Sequence, residues 1–213
     1  MKYIYSLFLF VMVSLLTAMP GMAQQEVTIR ELNTYTSTIT SQADLSSHPL
    51  NGVSVIYDAV VVAYPRNSGL ATPNKGSSGA EPGRIHLFVT DVNAINDGRE
   101  GMSMQLVVSG AEQRTLETLQ RGDVITVTGN LSFFGNESQF SATDVSYLGG
   151  VEDPAYSNLA LLLDPIELDL ADVNQNVPGT NTNKWVASAY SKYIHTYVKF
   201  KGVEIIDRLE GTD

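Results

Sequence analysis

One stretch in the middle of the chain, residues 116–148, restricts the possible folds more than any other part of the sequence. A short helical phrase ends at Gly122, and apolar residues then alternate with polar ones, which is typical of a half-buried strand. A short connection at 134–137 leads into a second alternating run that reaches Leu148. The apolar residues of the first run are Ile125, Val127, Leu131 and Phe133. The stretch therefore predicts a helix followed by a long hairpin, which is the closing half of a small barrel.

The residues before this hairpin predict three more strands. Residues 53–64 are dense in β-branched side chains and form a long first strand, with a bulge near Asp58 where the alternation slips. Residues 84–91 form the second strand and 102–108 the third, and a short helix at 111–120 leads into the hairpin. By the period of two, the outward residues of strands two and three are Arg84, His86, Phe88, Thr90, Ser103, Gln105 and Val107. The predicted fold class is all-β with one short helix.

A helix, a Gly-Asp pair and a long hairpin resemble the OB fold, the five-stranded Greek-key barrel that binds oligonucleotides and oligosaccharides. The matching phrase is Leu119-Gln120-Arg121-Gly122-Asp123-Val124-Ile125-Thr126-Val127-Thr128-Gly129. More narrowly, the phrase is similar to the OB-type modules of secreted Bacteroidota-type proteins. The resemblance implies an OB-like barrel over residues 24–149. It also implies a ligand bound across strands two and three, between the loops that join strands one to two and four to five.

The resemblance places the candidate ligand site on the outer face of strands two and three. An exposed aromatic ring stacks on a base or a sugar ring, with roughly 1 to 3 kcal/mol per stacked base, and an arginine pairs with phosphate. The implied partner is single-stranded nucleic acid or an oligosaccharide. The candidate ligand-binding residues are Arg84, His86, Phe88, Gln105, Tyr64 and Phe134. In the alternative interpretation, Phe88 packs under a linker or against a neighbouring domain, and Arg84 and His86 are solvated.

Net charge bears on the choice between these ligands. The chain has 23 acidic and 13 basic residues, which is a formal charge of −10. Affinity for nucleic acid rests largely on Lys and Arg that neutralise phosphates, and an acidic body repels phosphates at long range. The alternative interpretation is that the acidity only keeps the protein in solution.

The first residues, 1–23, have the pattern of a secretory signal peptide. Lys2 precedes a short apolar run, and small residues precede the expected cleavage after Ala23. The apolar run is shorter than the roughly 20 residues that cross a bilayer. Because the chain has no cysteine, its core must be stable without disulfides. We therefore expect an exported protein that is extracellular, at the cell surface or periplasmic.

The region after the barrel predicts a linker and an incomplete second module. Residues 150–165 contain two prolines and are expected to link the two modules. Residues 168–173 match 27–32 in their apolar and acidic pattern, which indicates a tandem repeat. We expect 166–213 to be the start of a second OB-like module, and the chain to be a fragment of a longer protein.

The sequence contains no arrangement typical of an active site or a metal site. His48, His86 and His195 are the only histidines, and none has a second ligand at metal spacing, so each is expected on a surface or loop. The polar loop at 91–97 fails the EF-hand pattern, and ordinary turn chemistry explains it better. No G-x-S-x-G elbow is present. We predict no catalytic residue, no metal and no cofactor.

The sequence thus predicts a non-catalytic OB-fold binding module of an exported or cell-surface protein. One alternative is a structural spacer or docking module that carries a downstream domain of the same chain. Another is a secreted hydrolase or nuclease whose catalytic domain lies beyond residue 213.

Overall fold

The computed structural model of the protein describes residues 24–33, 44–63, 84–109, 118–134, 137–176, 183–185 and 192–202. Its strands are β1 (Gln25–Glu26), β2 (Val55–Val61), β3 (Arg84–Asp91), β4 (Ser103–Ser109), β5 (Asp123–Phe134), β6 (Glu137–Gly150), β7 (Ile166–Leu168), β8 (Asn174–Asn176), β9 (Asn183–Trp185) and β10 (Val198–Phe200). Its helices are Ile29–Asn33, Ala94–Asp97 and Leu170–Val173, with 3-10 helices at Asp44–Ser47 and Ser157–Leu163. No helix within these ranges is long and apolar enough to cross a membrane.

Five of the strands close into a barrel. The hydrogen-bonded order is β2-β3-β4-β6-β5, and β5 returns to pair with β2. The neighbours are antiparallel except for β4 and β6, which are parallel. Because β6 lies between β4 and β5, the connection is of the Greek-key type found in OB folds. The predicted fold class, an all-β chain with a five-stranded OB-like barrel, is confirmed. Most of the helix predicted at 111–120 falls outside the described residues.

The ladder between β2 and β5 corrects one prediction about the barrel. Residues 55–60 of β2 pair with β5 without interruption, so the bulge predicted near Asp58 is wrong. The irregularities lie instead between β5 and β6, and one of them is next to Gly129. A Cβ at Gly129 would overlap the carbonyl oxygen of Ser141 and lie 2.9 Å from Cα of Ala142. The long hairpin therefore bends where two backbones approach too closely for a side chain.

The core side of the strands follows the predicted alternation. Tyr57 and Phe140 meet edge to face inside the barrel, with ring centroids 5.0 Å apart. Such a pair contributes roughly 0.5–1.5 kcal/mol beyond the burial of its area. The predicted inward residues that are buried include Leu87, Val89, Met104, Leu106, Ile125 and Val127.

The outer side of β3 and β4 departs from the prediction. Four residues expected to face outward are buried instead: Thr90, Ser103, Gln105 and Val107. At Ser103, a distant segment of the chain lies beside the strand. This segment is the Ile29–Asn33 helix, since the side-chain amide of Asn33 donates to the carbonyls of Gly101 and Ser103 at 2.8 and 2.9 Å. Alternation predicts two faces for a strand, but it does not predict which long-range segment covers the second face.

The N-terminal segment is attached to the barrel through its short helix. β1 pairs in parallel with the start of β2, and the helix begins with a capping box in which Thr28 and Glu31 exchange hydrogen bonds. The buried carboxylate of Asp91, at the end of β3, accepts the backbone N–H of Ile29 at 2.7 Å. It also accepts the N–H of Asn93 at 2.8 Å. A side chain of the barrel thus satisfies a donor that a helix N-terminus leaves without an intrahelical partner.

The segment predicted as a linker packs against one end of the barrel. Leu159 and Leu162 of the second 3-10 helix are buried in a cluster with Val60, Met102 and Val124. Arg99 donates to the carbonyl of Leu162 at 3.0 Å. These contacts join residues 157–163 to the barrel, while the predicted division of the chain into domains stays a prediction.

The residues that follow repeat an arrangement of the N-terminal segment. β7 pairs in parallel with β10, as β1 does with β2. The Leu170–Val173 helix follows β7, as the Ile29–Asn33 helix follows β1. A separate small cluster of Leu168 and Val173 is packed with residues of β7 and β10. The second OB-like module predicted from residue 166 stays a prediction.

Candidate ligand-binding face

Three of the predicted ligand-binding residues lie together on the outer side of the barrel. Phe88 of β3 and Gln105 of β4 are direct partners across the ladder. The side-chain amide of Gln105 hydrogen-bonds Nδ1 of His86 at 2.5 Å. Phe88 and His86 are half-buried, and Gln105 is buried. We call this group of Phe88, Gln105 and His86 the β3–β4 face.

Of the other three predicted residues, the two that the structure describes lie at the ends of strands. Arg84 is the first residue of β3 and pairs with Ser109. Phe134 is the last residue of β5 and pairs with Glu137 at the end of the hairpin. Tyr64 lies outside the described residues. The ligand-binding role of all six residues stays a prediction.

A turn near the end of the described chain, residues 192–197, lies across the β3–β4 face. The N–H of Gly101, just before β4, donates to the carbonyl of Lys192 at 2.7 Å. The imidazole of His195 is tilted by 35° over Phe88 at a centroid distance of 5.9 Å. Its Nε2 lies 2.8 Å from the carbonyl oxygen of Ser138 in β6. The turn therefore contacts β3, β6 and the residue that leads into β4, and we call it the His195 turn.

The backbone of the His195 turn has an uncommon conformation. His195 has a φ of 58°, which is rare for residues other than glycine, although histidine adopts it more often than most. The N–H of Thr196 donates to the carbonyl of Tyr193 at 3.0 Å, and the carbonyl of Tyr197 accepts the N–H of Ile166 at 2.9 Å. The turn is thus held from within and from β7. Sequence reasoning missed His195 because an isolated histidine carries no signal of a contact between distant segments.

A small cavity of about 190 Å³ adjoins Phe88 beneath the His195 turn. It is smaller than the roughly 300–1,000 Å³ of typical small-molecule pockets. The guanidinium of Arg121 lies over the ring of Tyr197, 5.7 Å from its centroid, and donates to the carbonyl of Val62 at 3.2 Å. The lining residues are Val62, Ala63, Phe88, His195, Thr196 and Tyr197. The cavity is therefore built jointly by the barrel and the turn.

A larger cavity of about 440 Å³ lies where β5 begins and β6 ends. Tyr147 is 56% exposed there. Burial raises the pKa of Asp123, the hydrogen bond from the N–H of Gln120 lowers it, and the charge of Glu152 raises it. The lining residues are Thr118, Leu119, Gln120, Asp123, Tyr147 and Glu152. The cavity combines an exposed aromatic ring with two carboxyl groups, a combination that disfavours an anionic ligand.

The titratable residues considered for metal binding have structural partners. Burial raises the pKa of Asp91 against the lowering effect of its hydrogen bonds. Its contact with the N–H of Asn93 is the turn chemistry expected for the polar loop at 91–97. His48, expected on a surface or loop, is a buried loop residue whose Nδ1 accepts the N–H of Leu50 at 3.0 Å. Within the part of the chain that the structure describes, no three His, Asp or Glu side chains could hold a metal ion together.

Comparison with known proteins finds similarity to solved structures. No protein-family model matches the sequence, and no curated protein matches it. A chain of the S. pombe Stn1–Ten1 complex is 16% identical with a TM-score of 0.31, over 51% of this chain and 66% of that one. A chain of a replication protein A heterotrimer bound to ssDNA is 16% identical with a TM-score of 0.36, over 64% of this chain and 90% of that one. This chain thus spans just under two thirds of the Stn1–Ten1 chain.

Proposed function

We propose that this chain is a non-catalytic OB-type binding module whose ligand is single-stranded nucleic acid, held on the β3–β4 face. The observation that carries this proposal is the placement of Phe88, Gln105 and His86 side by side on a closed OB-like barrel. OB folds take their ligands on the corresponding pair of strands. An aromatic ring on that face stacks bases without regard to sequence, because every base has a π-face. Glutamine and histidine side chains beside the ring supply hydrogen-bonding groups.

A second candidate ligand is an oligosaccharide, which the charge of the protein favours. A formal charge of −10 repels a polyanion, but it does not oppose a neutral sugar. The 440 Å³ cavity offers the exposed ring of Tyr147 for stacking and the carboxyl groups of Asp123 and Glu152 as acceptors for hydroxyl groups. This candidate therefore uses a different surface from the β3–β4 face.

The location of the protein and its place in a longer chain are part of the same proposal. The pattern of residues 1–23 supports export through a signal peptide. The parallel pairing of β7 with β10, which repeats that of β1 with β2, supports a second module after residue 166. The spacer or docking alternative is supported by the His195 turn, because the chain itself covers the β3–β4 face.

A fluorescence-anisotropy titration with labelled oligothymidylate at low and moderate salt, together with a glycan array, tests the proposed ligand. A nucleic-acid module binds the oligonucleotide saturably, and its affinity falls as salt rises. Phe88→Ala should weaken this binding by about 5-fold to 150-fold, the equivalent of the 1 to 3 kcal/mol of one stacked base. Tyr147→Ala is the matched control, because it removes an exposed ring from the other cavity.

The reverse pattern identifies the second candidate. Glycan binding that is lost in Tyr147→Ala and kept in Phe88→Ala would replace nucleic acid by an oligosaccharide. Binding to neither class would leave the docking alternative, and it would end the proposal of a ligand-binding module.

A further inference from the structure

The β3–β4 face already holds a ring from the protein's own chain. The imidazole of His195 lies over Phe88, with 35° between the ring planes and 5.9 Å between centroids. Aromatic groups favour offset or tilted arrangements at about 4.5–7 Å. His195 thus takes the place on Phe88 that the ring of a stacked ligand would need.

The same imidazole also makes a polar contact with a neighbouring strand of the barrel. Nε2 of His195 is 2.8 Å from the carbonyl oxygen of Ser138, in the strand next to β4. The imidazole therefore both stacks on Phe88 and hydrogen-bonds β6, the strand beside β4. The positive φ of His195 indicates that surrounding contacts hold this conformation against its intrinsic preference.

We infer that the His195 turn is an intramolecular competitor for the ligand of the β3–β4 face. This inference rests on the proposed function, and it adds the way in which access to the site is controlled. A ligand ring can stack on Phe88 only after the imidazole has left. The apparent affinity of the resting protein is therefore the intrinsic affinity reduced by the fraction of molecules in which the turn is released.

The attachments of the turn to the barrel include polar contacts that water can replace. The N–H of Gly101 donates to the carbonyl of Lys192, and the guanidinium of Arg121 lies over the ring of Tyr197. They also include the ion pair of Lys192 with Glu100 at 3.3 Å, between two side chains that are about half exposed. Exposed ion pairs of this kind contribute little to stability. Release of the turn therefore costs little at this ion pair, and a ligand with several contacts to the face has to offset the remaining contacts of the turn.

The decisive variant is His195→Asn in the full chain. Asparagine also tolerates a positive φ, so the turn can keep its backbone while it loses the imidazole. The oligothymidylate titration should show about tenfold tighter binding in this variant, because the competitor is weakened. Lys199→Ala is the matched control, since Lys199 lies in β10 and pairs with Glu167 away from the face. The double variant Phe88→Ala/His195→Asn should lose the gain.

Amide hydrogen exchange at Gly101 reports on the turn directly, because this N–H donates to Lys192. In the wild-type chain, saturation with oligothymidylate should speed up exchange at Gly101. Weaker binding in His195→Asn would overturn the inference, because the turn would then be part of the ligand site. An unchanged affinity, or an unchanged exchange rate at Gly101 in the bound state, would overturn it as well.

The failure of the inference can be told apart from that of the proposed function. If neither the wild-type chain nor His195→Asn binds oligothymidylate or glycans, the proposed function fails and the inference fails with it. If both bind equally well, only the inference fails. If the chain binds a glycan and His195→Asn tightens that binding, the inference of a competing turn holds and the ligand is an oligosaccharide.

Discussion

Nε2 of His195 lies 2.8 Å from the carbonyl oxygen of Ser138, although the two residues are 57 positions apart in the sequence. The contact joins the turn after the barrel to the strand beside β4, over the face where OB folds take their ligands. Phe88 therefore packs against the imidazole of His195, as in the alternative interpretation in which it contacts another part of the protein. The binding and docking hypotheses can therefore be tested with one variant, because removal of the His195 imidazole uncovers Phe88.

We predict that Gly129→Ala lowers the free energy of unfolding of the barrel more than the same substitution at a glycine that has no neighbouring atoms. The new Cβ would overlap the Ser141 carbonyl and lie 2.8 Å from the Phe140 ring, and overpacking of this kind costs about 1–3 kcal/mol or more. Gly52→Ala is the control, because it meets no atom within 4 Å and bears only the strain of a φ of 71°. Urea unfolding measures both free energies. An equal loss in the two variants would contradict the close approach of β5 and β6.

We predict that Leu162→Ala lowers the free energy of unfolding of the barrel by about 2–5 kcal/mol, as for other buried leucines. Leu162 is 1% exposed and packs against residues of the barrel. Leu161→Ala is the matched control, since the Leu161 side chain next to Leu162 is 65% exposed. The free energy of unfolding of this variant should stay within about 0.5 kcal/mol of wild type. Chemical denaturation followed by fluorescence compares the two. Similar small losses would mean that residues 157–163 act as a linker without a structural role.

The sequence predicted those features of the fold that depend on neighbouring residues. Alternation identified β3 with its observed bounds, and it identified the hairpin of β5 and β6 with nearly correct ends. The alternation of apolar residues slips near Asp58 and predicts a bulge there, whereas the register shifts lie between β5 and β6, one of them where Gly129 approaches Ser141. That approach is a tertiary distance, and no local pattern encodes it.

The candidate site was predictable in part for the same reason. Period-two alternation brought His86 and Phe88 to one side of β3, and the resemblance to the OB fold added Gln105 from β4. The burial of Gln105 was not predictable, because period-two alternation assigns a residue to a face of the strand but does not say whether that face is covered. His195 was equally inaccessible, since its contacts lie on β3 and β6.

We predict that His48 makes the stability of the protein sensitive to mild acid. Burial lowers the pKa of His48, against the raising effect of a backbone hydrogen bond with Leu32. A base with a lowered pKa in the folded state contributes stability that is present above its ordinary pKa of 6.5, and this stability is lost as the pH falls through the folded value. Melting temperatures of the wild type and His48→Asn between neutral pH and mild acid give the comparison. The wild type should lose stability that the variant does not lose; parallel curves would refute this role.

We predict that Asp91→Asn weakens the attachment of the N-terminal helix. The two carboxylate oxygens of Asp91 accept the backbone N–H groups of Ile29 and Asn93. An asparagine offers one oxygen and one donor group, so one of these N–H groups loses its acceptor. A buried donor left without a partner costs about 1–3 kcal/mol. Urea unfolding should show this loss, and amide exchange at Ile29 or Asn93 should become faster.

Asp97→Asn is the control for this last prediction, because Asp97 is exposed in the same loop and the hydrogen bond from Arg30 goes to its backbone carbonyl. Its free energy of unfolding should stay within about 0.5 kcal/mol of the wild type. Equal stability of Asp91→Asn and Asp97→Asn would mean that the carboxylate of Asp91 is dispensable for the helix. A loss confined to Asp91→Asn would show that the end of β3, where the polar loop begins, serves to join the N-terminal segment to the barrel.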